Sequence, residues 1–495
     1  MTVSLSALLR QAVAHHQSGR LAEAQAGYEA VLARNPLQPD ALHLLGVLQD
    51  QMGRHEAAVA LIQKAIVQSP DQAMFHGNLG TALLAANRAA EAEEAYRHAV
   101  TLDPDYVEGH YNLGNLLRRR GDVPAAREHL ERAVSLAPNH VQARNNLAML
   151  LWEDCADSVA AGEAFKCLLA QAPDWATAHM NHGVFLLAGG DFREGWAEYE
   201  WRWRSETYHE RDWGCGLPRW NGEPLDGARL LLWGEQGIGD QILYGTMLRD
   251  ARQFSRADLC IAVDKRLVGL FERSFADVRV RVIARGEQTD AVRQCPFASL
   301  GRWLRREEAD FVDKGTYLVA DTGRSRYLRQ RYQQIAGEGK RLLGVSWRSG
   351  NSSIGQDKSI PLEQLLPALR QPDVFWISLQ YGDTAAEITL LRERGIDIHQ
   401  DETIDAFQDI DALAAQISAL DGVVSVSNTT VHVAGALGVP CQLLLPLGRG
   451  RLWYWPAGGE AGRWYPSVRI LRQERAGDWE AAVACLRTIL SEHRL

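Results

Sequence analysis

The sequence is poor in cysteine, has no surplus of positive charge, and lacks any long apolar run. Its seven cysteines in 495 residues (155, 167, 215, 260, 295, 441 and 485) are never spaced as CxxC. That excludes a disulfide framework or a zinc site recognisable from spacing, and reads as reduced thiols in a cytoplasm. Fifty-three Lys and Arg against 62 Asp and Glu leave a net charge of −9. This is the wrong sign for a surface that grips phosphate backbones, so no nucleic-acid partner is expected. Apolar segments such as Leu443-Leu444-Leu445 with its neighbours fall short of the roughly 18 residues a spanning helix needs, so no transmembrane segment is expected. Met1-Thr2-Val3-Ser4-Leu5 runs straight into an amphipathic pattern without the charged start and apolar stretch of a secretory leader. No GK[ST] phosphate loop occurs, and reading from Gly237, Ile242 holds the place of the third glycine of a dinucleotide fingerprint.

What is present is an ordinary globular composition, 46% hydrophobic and 23% charged, with room for about three domains at roughly 100–200 residues each. A period organises the first 200 residues. Pro36, Pro70, Pro104 and Pro138 stand 34 apart, in step with Gly46, Gly80, Gly114 and Ala148. Ala24, Ala58, Ala92 and Ala126 keep the same step, with Ala65, Ala99 and Ala133 behind them. Small residues let paired helices approach, and the proline ends the second helix of each unit. After Ala148 the phase slips by one, since Pro173 lies 35 beyond Pro138. These residues and this period resemble the tetratricopeptide repeat, which implies a helical solenoid of about six helix pairs over 1–205. Its last unit runs into Trp196-Ala197-Glu198-Tyr199-Glu200-Trp201-Arg202-Trp203-Arg204, whose aromatics either cap the solenoid and dock it on the next domain or simply pack in a core. Asn78, Asn112 and Asn146 recur at 34, and Asn181 continues the series before Gly183. A column of amides can bond the N–H and C=O of an extended peptide, or it can bond neighbouring helices or water. The column resembles the asparagine ladder of O-GlcNAc transferases, which implies an acceptor polypeptide as partner.

From residue 229 the period gives way to short apolar runs alternating with helical stretches. Strands are expected at 229–234, 258–263, 278–283, 342–347, 374–379, 422–427 and 441–445, and this alternation implies α/β architecture with parallel sheets. The charged stretch 324–341 with Gly337 and Gly339 is the natural divider between two Rossmann-like domains facing across a cleft. The chain then divides into a connector at 206–226, domains at 227–335 and 340–480, and a C-terminal helix at 481–495. Ligands of such sheets sit at the carboxyl ends of strands. Two stretches qualify. In Gly234-Glu235-Gln236-Gly237-Ile238-Gly239-Asp240, glycines 237 and 239 allow a tight turn ahead of a helix running to about 252. There Asp240 either caps that helix or takes a proton from a substrate hydroxyl. In Ser427-Asn428-Thr429-Thr430-Val431-His432 and the small residues through Pro440, a strand ends at a helix start that suits an anion. His432 either bonds a phosphate oxygen or packs.

Gly239-Asp240, Val345-Ser346-Trp347-Arg348-Ser349-Gly350-Asn351, Asp357-Lys358-Ser359-Ile360-Pro361-Leu362, Ser378-Leu379-Gln380-Tyr381-Gly382 and the 427–440 stretch occur in the order found in heptosyltransferase-like glycosyltransferases. With the repeats in front, the whole chain resembles bacterial tetratricopeptide-repeat glycosyltransferases, some of which modify flagellin. The resemblance implies the GT-B fold, with 227–335 on the acceptor side and 340–480 on the donor side. It implies inverting transfer from a nucleotide sugar to Ser or Thr of an acceptor protein, flagellin among the candidates, without metal or other cofactor. Asp240 matches the proposed base, Lys358 the lysine on the donor phosphate, and Thr429, Thr430 and His432 the donor turn. Gly237, Gly239, Arg348, Gln380 and Asn428 complete the expected donor site. The family commonly has Asp where this chain has Ser427.

Asp409-Ile410-Asp411 has the DxD form of metal-dependent glycosyltransferases, but at a helix start it reads as capping. Arg449, Arg451, Trp453, Tyr454, Trp455, Arg463, Trp464 and Tyr465 either stack a base or sugar or form a seam between domains. Two other functions stay open on sequence grounds: a repeat scaffold whose α/β part has lost catalysis, and a transferase acting on lipid or polysaccharide.

Overall fold

The computed structural model describes residues 4–208, 210, 216–277, 279–312 and 314–492. Cys215 and Val278 lie outside these, as do 1–3 and 493–495 of the expected leader-free start and C-terminal helix. The chain forms two compact units, Met1–Pro173 and Asp174–Leu495.

The first unit is five helical hairpins: α1 (Leu5–Gln17) with α2 (Leu21–Arg34), α3 (Pro39–Gln51) with α4 (His55–Gln68), α5 (Ala73–Ala85) with α6 (Ala89–Leu102), α7 (Val107–Arg120) with α8 (Val123–Leu136), and α9 (Val141–Glu153) with α10 (Ser158–Gln171). The periodic small residues close each hairpin. A Cβ on Gly46 would lie 2.6 Å from Ile62, and one on Gly114 would lie 2.8 Å from Leu130, while Ala58 and Ala126 are fully buried. The phase slip has a local cause. The loops inside the hairpins place a left-handed residue at Gly19, Gly53, Asn87 and Gly121, then at Ala156 rather than 155, so the fifth loop carries one extra residue. A polar series accompanies the prolines: six residues after each, His76, His110 and Arg144 bond the carbonyls of Pro70, Pro104 and Pro138 at 2.8, 3.1 and 3.0 Å.

Asn78 and Asn146 are half-buried, with their amides bonded within the repeats. Asn78 bonds His43 Nε2 at 2.8 Å, and Asn146 donates to Asn115 at 2.9 Å and Tyr111 at 3.4 Å, each in the preceding hairpin. Asn112 is half-buried on α7. His43, buried and stacked on Phe75 with centroids 4.3 Å apart, has its pKa pushed down by burial to about 4, with Asp40 pulling the other way. Because its folded value lies below the ordinary 6.5, its stabilising contribution is complete above pH 6.5 and is lost as pH falls toward 4, up to about 3 kcal/mol. Helical circular-dichroism melts are therefore expected to weaken over that window, and less so in His43→Gln. An unchanged acid limb in the variant would rule the histidine out.

The second unit begins with a sixth hairpin, α11 (Ala176–Gly189) and α12 (Phe192–Tyr199), and a 3-10 turn Glu200–Arg204. Asn181 lies here, half-buried on α11. In the tryptophan-rich segment Trp196 is 1% exposed and donates to the Arg305 carbonyl at 2.8 Å, while Trp201 and Trp203 are half-buried, so the segment both packs and docks on the α/β region. Among the described residues ten strands follow: β1 (Arg229–Trp233), β2 (Asp258–Val263), β3 (Val280–Ala284), β4 (Arg293–Pro296), β5 (Arg341–Ser346), β6 (Val374–Ser378), β7 (Ile398–His399), β8 (Gly422–Val426), β9 (Cys441–Leu445) and β10 (Val468–Arg472). They build two wholly parallel sheets, ordered β3-β2-β1-β4 and β10-β9-β8-β5-β6-β7. The overall organisation is thus a repeat solenoid followed by a parallel-sheet α/β region.

One local expectation is corrected. The helix after β1 stops at Gly245, and a separate helix Leu248–Ser255 follows. Tyr317 supplies the break, since its hydroxyl donates to the Ile242 carbonyl at 2.8 Å, the acceptor an unbroken helix would offer to Thr246. The charged stretch carries a helix, Thr322–Ala336, with Leu328 and Tyr332 buried. Its arginines pair with Asp421 at 2.7 Å and Asp401 at 3.2 Å, so it packs on the second sheet's side. Among the described residues no helix is long and apolar enough to cross a membrane.

Candidate functional site

In parallel sheets the loops at a reversal of strand order splay apart and leave a crevice at the carboxyl edge. Here the reversals fall between β1 and β4 and between β5 and β8. A cavity of about 520 Å³ lies where the loops after β1, β5 and β8 meet, with the loops after β2, β6, β7 and β9 completing its wall. Gly237, Gly239, Asp240, Lys358, Asn428, Thr429, Thr430 and His432 line it together. Arg348 and Gln380 do not.

Asp240 caps its helix and lines the cavity as well. It sits in the first turn of the helix Ile238–Gly245, where its carboxylate accepts the Gly237 N–H at 3.2 Å, and it also faces the cavity. Burial lifts its pKa to about 6, while Lys358 and the Gly237 N–H pull it down. Lys358, 7% exposed, is displaced below its ordinary pKa by burial, and Asp240 partly restores it. The two groups therefore sense each other across the cavity, near the start of the helix Thr429–Leu437 with its positive dipole end.

His432 is a neutral wedge. It is 2% exposed, stacked near-parallel to Trp455 with centroids 5.6 Å apart, and ringed by Tyr454 and Tyr465. Burial, with Lys358 adding, pushes its pKa to about 3. A Cβ on Gly239 would lie 2.8 Å from its Cδ2, so this glycine lets the two loops meet. Because the aromatic cage leaves His432 nowhere to move, Gly239→Ala is expected to cost about 1–3 kcal/mol by overpacking. Urea unfolding checks this, and a native midpoint would show that the wedge yields.

Arg348 and Gln380 serve the loop behind the cavity. Arg348 is paired with Glu387 at 3.1 Å and donates to the Asp383 carbonyl at 2.7 Å. The Gln380 side-chain oxygen accepts from Ser346, Trp347 and Arg348 at 3.1, 3.0 and 2.9 Å. Asn428 lines the cavity while capping its helix through Thr430 N at 3.0 Å and bonding Ser346 at 2.8 Å. Ser427 accepts the Trp455 indole N–H at 2.9 Å. The DxD pair is spent structurally: Asp409 caps the helix Ile410–Ser418, accepting Ala412 N at 2.8 Å, and Asp411 pairs with Arg273. The late aromatic cluster is mainly a seam, with Trp453 against Trp196 at 5.3 Å and Trp464 against Phe311 at 4.9 Å. Tyr454 alone of that cluster's aromatics reaches the cavity.

Arg266 and Glu235 carry no mark in the sequence that sets them apart as site residues. Arg266, which follows β2, lines the cavity and pairs with Asp264 at 2.9 Å while lying over Phe407. Glu235 is fully buried and paired with Arg202. Arg266 lies in the charged run Asp264-Lys265-Arg266 and Glu235 beside Gly234, and neither pattern tells which charge faces the cavity or is buried.

Tetratricopeptide-repeat family models match residues 9–73, 45–107 and 83–150. Protein FlbA of Caulobacter vibrioides is 32% identical over 339 residues, covering 64% of this chain. The chain spans 56% of that relative's length. Among solved structures, pilF of Pseudomonas aeruginosa is 19% identical, with 40% of this chain and 89% of that one covered at a TM-score of 0.36. A tetratricopeptide-repeat protein of Thermus thermophilus is 22% identical, with 37% and 100% covered at 0.33. Repeat arrays of this kind bind protein partners, and residues 9–150 of this chain carry tetratricopeptide repeats.

Proposed function

We propose that residues 174–495 form a GT-B-type, inverting, metal-independent glycosyltransferase, and that the hairpins recruit a protein acceptor to it. One observation carries the reading: Asp240 and Lys358 face one cavity at the carboxyl edges of two parallel sheets, beside a helix N-terminus. A carboxylate with a pKa of about 6 is suited to take the proton of an acceptor hydroxyl as its oxygen attacks the anomeric carbon. The bond from that carbon to the donor phosphate breaks, and the charge left on phosphate is met by the Lys358 ammonium and the first-turn N–H groups of the helix Thr429–Leu437. Arg348 lies outside this step. The acceptor is expected to be a Ser or Thr hydroxyl of a protein, with flagellin first to test on the resemblance alone.

A scaffold without catalysis draws on Ser427, whose hydroxyl is committed to Trp455. Incubating the full chain with a panel of nucleotide sugars, and reading thermal shift and sugar release, separates the two. Stabilisation and slow hydrolysis with one donor support the transferase. No response to any donor favours the scaffold.

A further inference from the structure

Asp240 stands at the end of a loop that is held by a segment belonging to neither sheet. Glu235 and Arg202 are both fully buried and meet as a two-point fork, Nε to Oε2 and Nη2 to Oε1, each 3.0 Å. Every polar site of the pair is used. Arg202 also donates to the Tyr199 carbonyl at 3.1 Å, Glu200 at 2.7 Å and Ser299 at 2.9 Å. Glu235 also accepts the Tyr208 hydroxyl at 2.6 Å and the Ala298 N–H at 3.1 Å. The next residue, Gln236, sits at φ 62°, a region that costs a non-glycine residue about 1 kcal/mol or more and persists only where surroundings impose it. Its side-chain amide donates to the hydroxyls of Tyr199 at 2.7 Å and Tyr208 at 3.1 Å. Gly237 follows, and its N–H bonds the Asp240 carboxylate.

A buried ion pair this well satisfied is no more stabilising than packed apolar side chains would be, so its distinctive yield is geometry. We infer that Arg202, Glu235 and Tyr208 are positioning residues that fix the loop carrying Asp240, so the stretch trailing the sixth hairpin is a working part of the site. This rests on the reading of Asp240 as the base. It goes beyond that reading by making residues 199–208 necessary for transfer.

The test uses the full chain. Arg202→Lys keeps the charge but loses the fork. Transfer is expected to fall on the order of 10²-fold, mainly in kcat, because the base is misplaced while Lys358 and the helix Thr429–Leu437 that meet the donor phosphate stay in place. Amides of 234–240 are expected to exchange at least about tenfold faster than in the native chain. Should Arg202→Lys fail to fold, Tyr208→Phe removes one hydroxyl shared by Glu235 and Gln236, and should shift both readouts in the same direction. Native exchange in these variants overturns the inference, and so does loosened exchange with native turnover. If the native chain transfers from no donor, the glycosyltransferase reading fails by itself. Amide exchange then still decides whether the segment grips the loop.

Discussion

Replacing Asp240 by asparagine is expected to lower transfer by about 10²–10⁴-fold, the usual range for a positioned general base. Asparagine keeps the shape and an oxygen for the Gly237 N–H, so the helix stays capped and the loss is of basicity alone. In the native protein kcat/KM should fall about tenfold per pH unit below about 6, because the base must be unprotonated to act. Lys358→Ala should move that limb to higher pH, since the ammonium lowers the carboxyl's pKa. Stability should move the other way from activity. A carboxyl raised from 3.8 to about 6 on folding contributes its full stability below pH 3.8 and loses it as pH rises through 6, so at pH 7 the carboxylate opposes folding. Asp240→Asn should therefore stabilise the second unit by up to about 3 kcal/mol. A variant that loses turnover while gaining melting temperature is the signature of strain kept for function. Turnover within threefold of native would remove Asp240 from the mechanism.

Elements whose residues repeat or form uninterrupted apolar runs were legible in the sequence. The hairpins follow from proline, glycine and alanine at a period of 34, and β1, β2, β5, β6, β8 and β9 from buried apolar stretches. The strands that escaped have physical reasons. β4 is Arg-Gln-Cys-Pro, β7 is two residues long, and β10 is an edge strand whose Arg469 and Arg472 are half-buried. Their pairing comes from neighbours distant in the chain, and local propensity carries little of that. The break at Gly245 was likewise invisible, because Tyr317, more than seventy positions away, supplies it.

The cavity was legible where backbone chemistry makes it. Glycines at 237 and 239 and a polar turn before a small-residue helix fix where two loops come close, and the residues on those turns do line one cavity. What sequence could not separate is a side chain that faces the cavity from one that supports the loop. Arg348 and Lys358 are both cations between β5 and β6, yet Glu387 draws Arg348 away while Lys358, at the end of the short helix Gly355–Lys358, stays by Asp240. The asparagine column has the same ambiguity, and Asn78 and Asn146 reach back to the preceding hairpin.

Arg202→Met is expected to destabilise the second unit by about 3–5 kcal/mol, the cost of leaving one member of a buried ion pair uncompensated. Methionine fills the volume and keeps contact with Tyr199 and Trp203, over whose rings the guanidinium lies at 4.6 and 4.7 Å. The penalty is thus mostly electrostatic: Glu235 retains donors from Tyr208 and Ala298 but loses its countercharge, and the donors to Glu200 and Ser299 vanish with it. Adding Glu235→Gln removes the stranded charge, so the double variant should be more stable than the single one despite carrying a second core substitution. Urea midpoints at constant slope measure both steps. A cost below about 1 kcal/mol for Arg202→Met, or no recovery in the double variant, would mean that the pair is solvated in solution and does not clamp the loop.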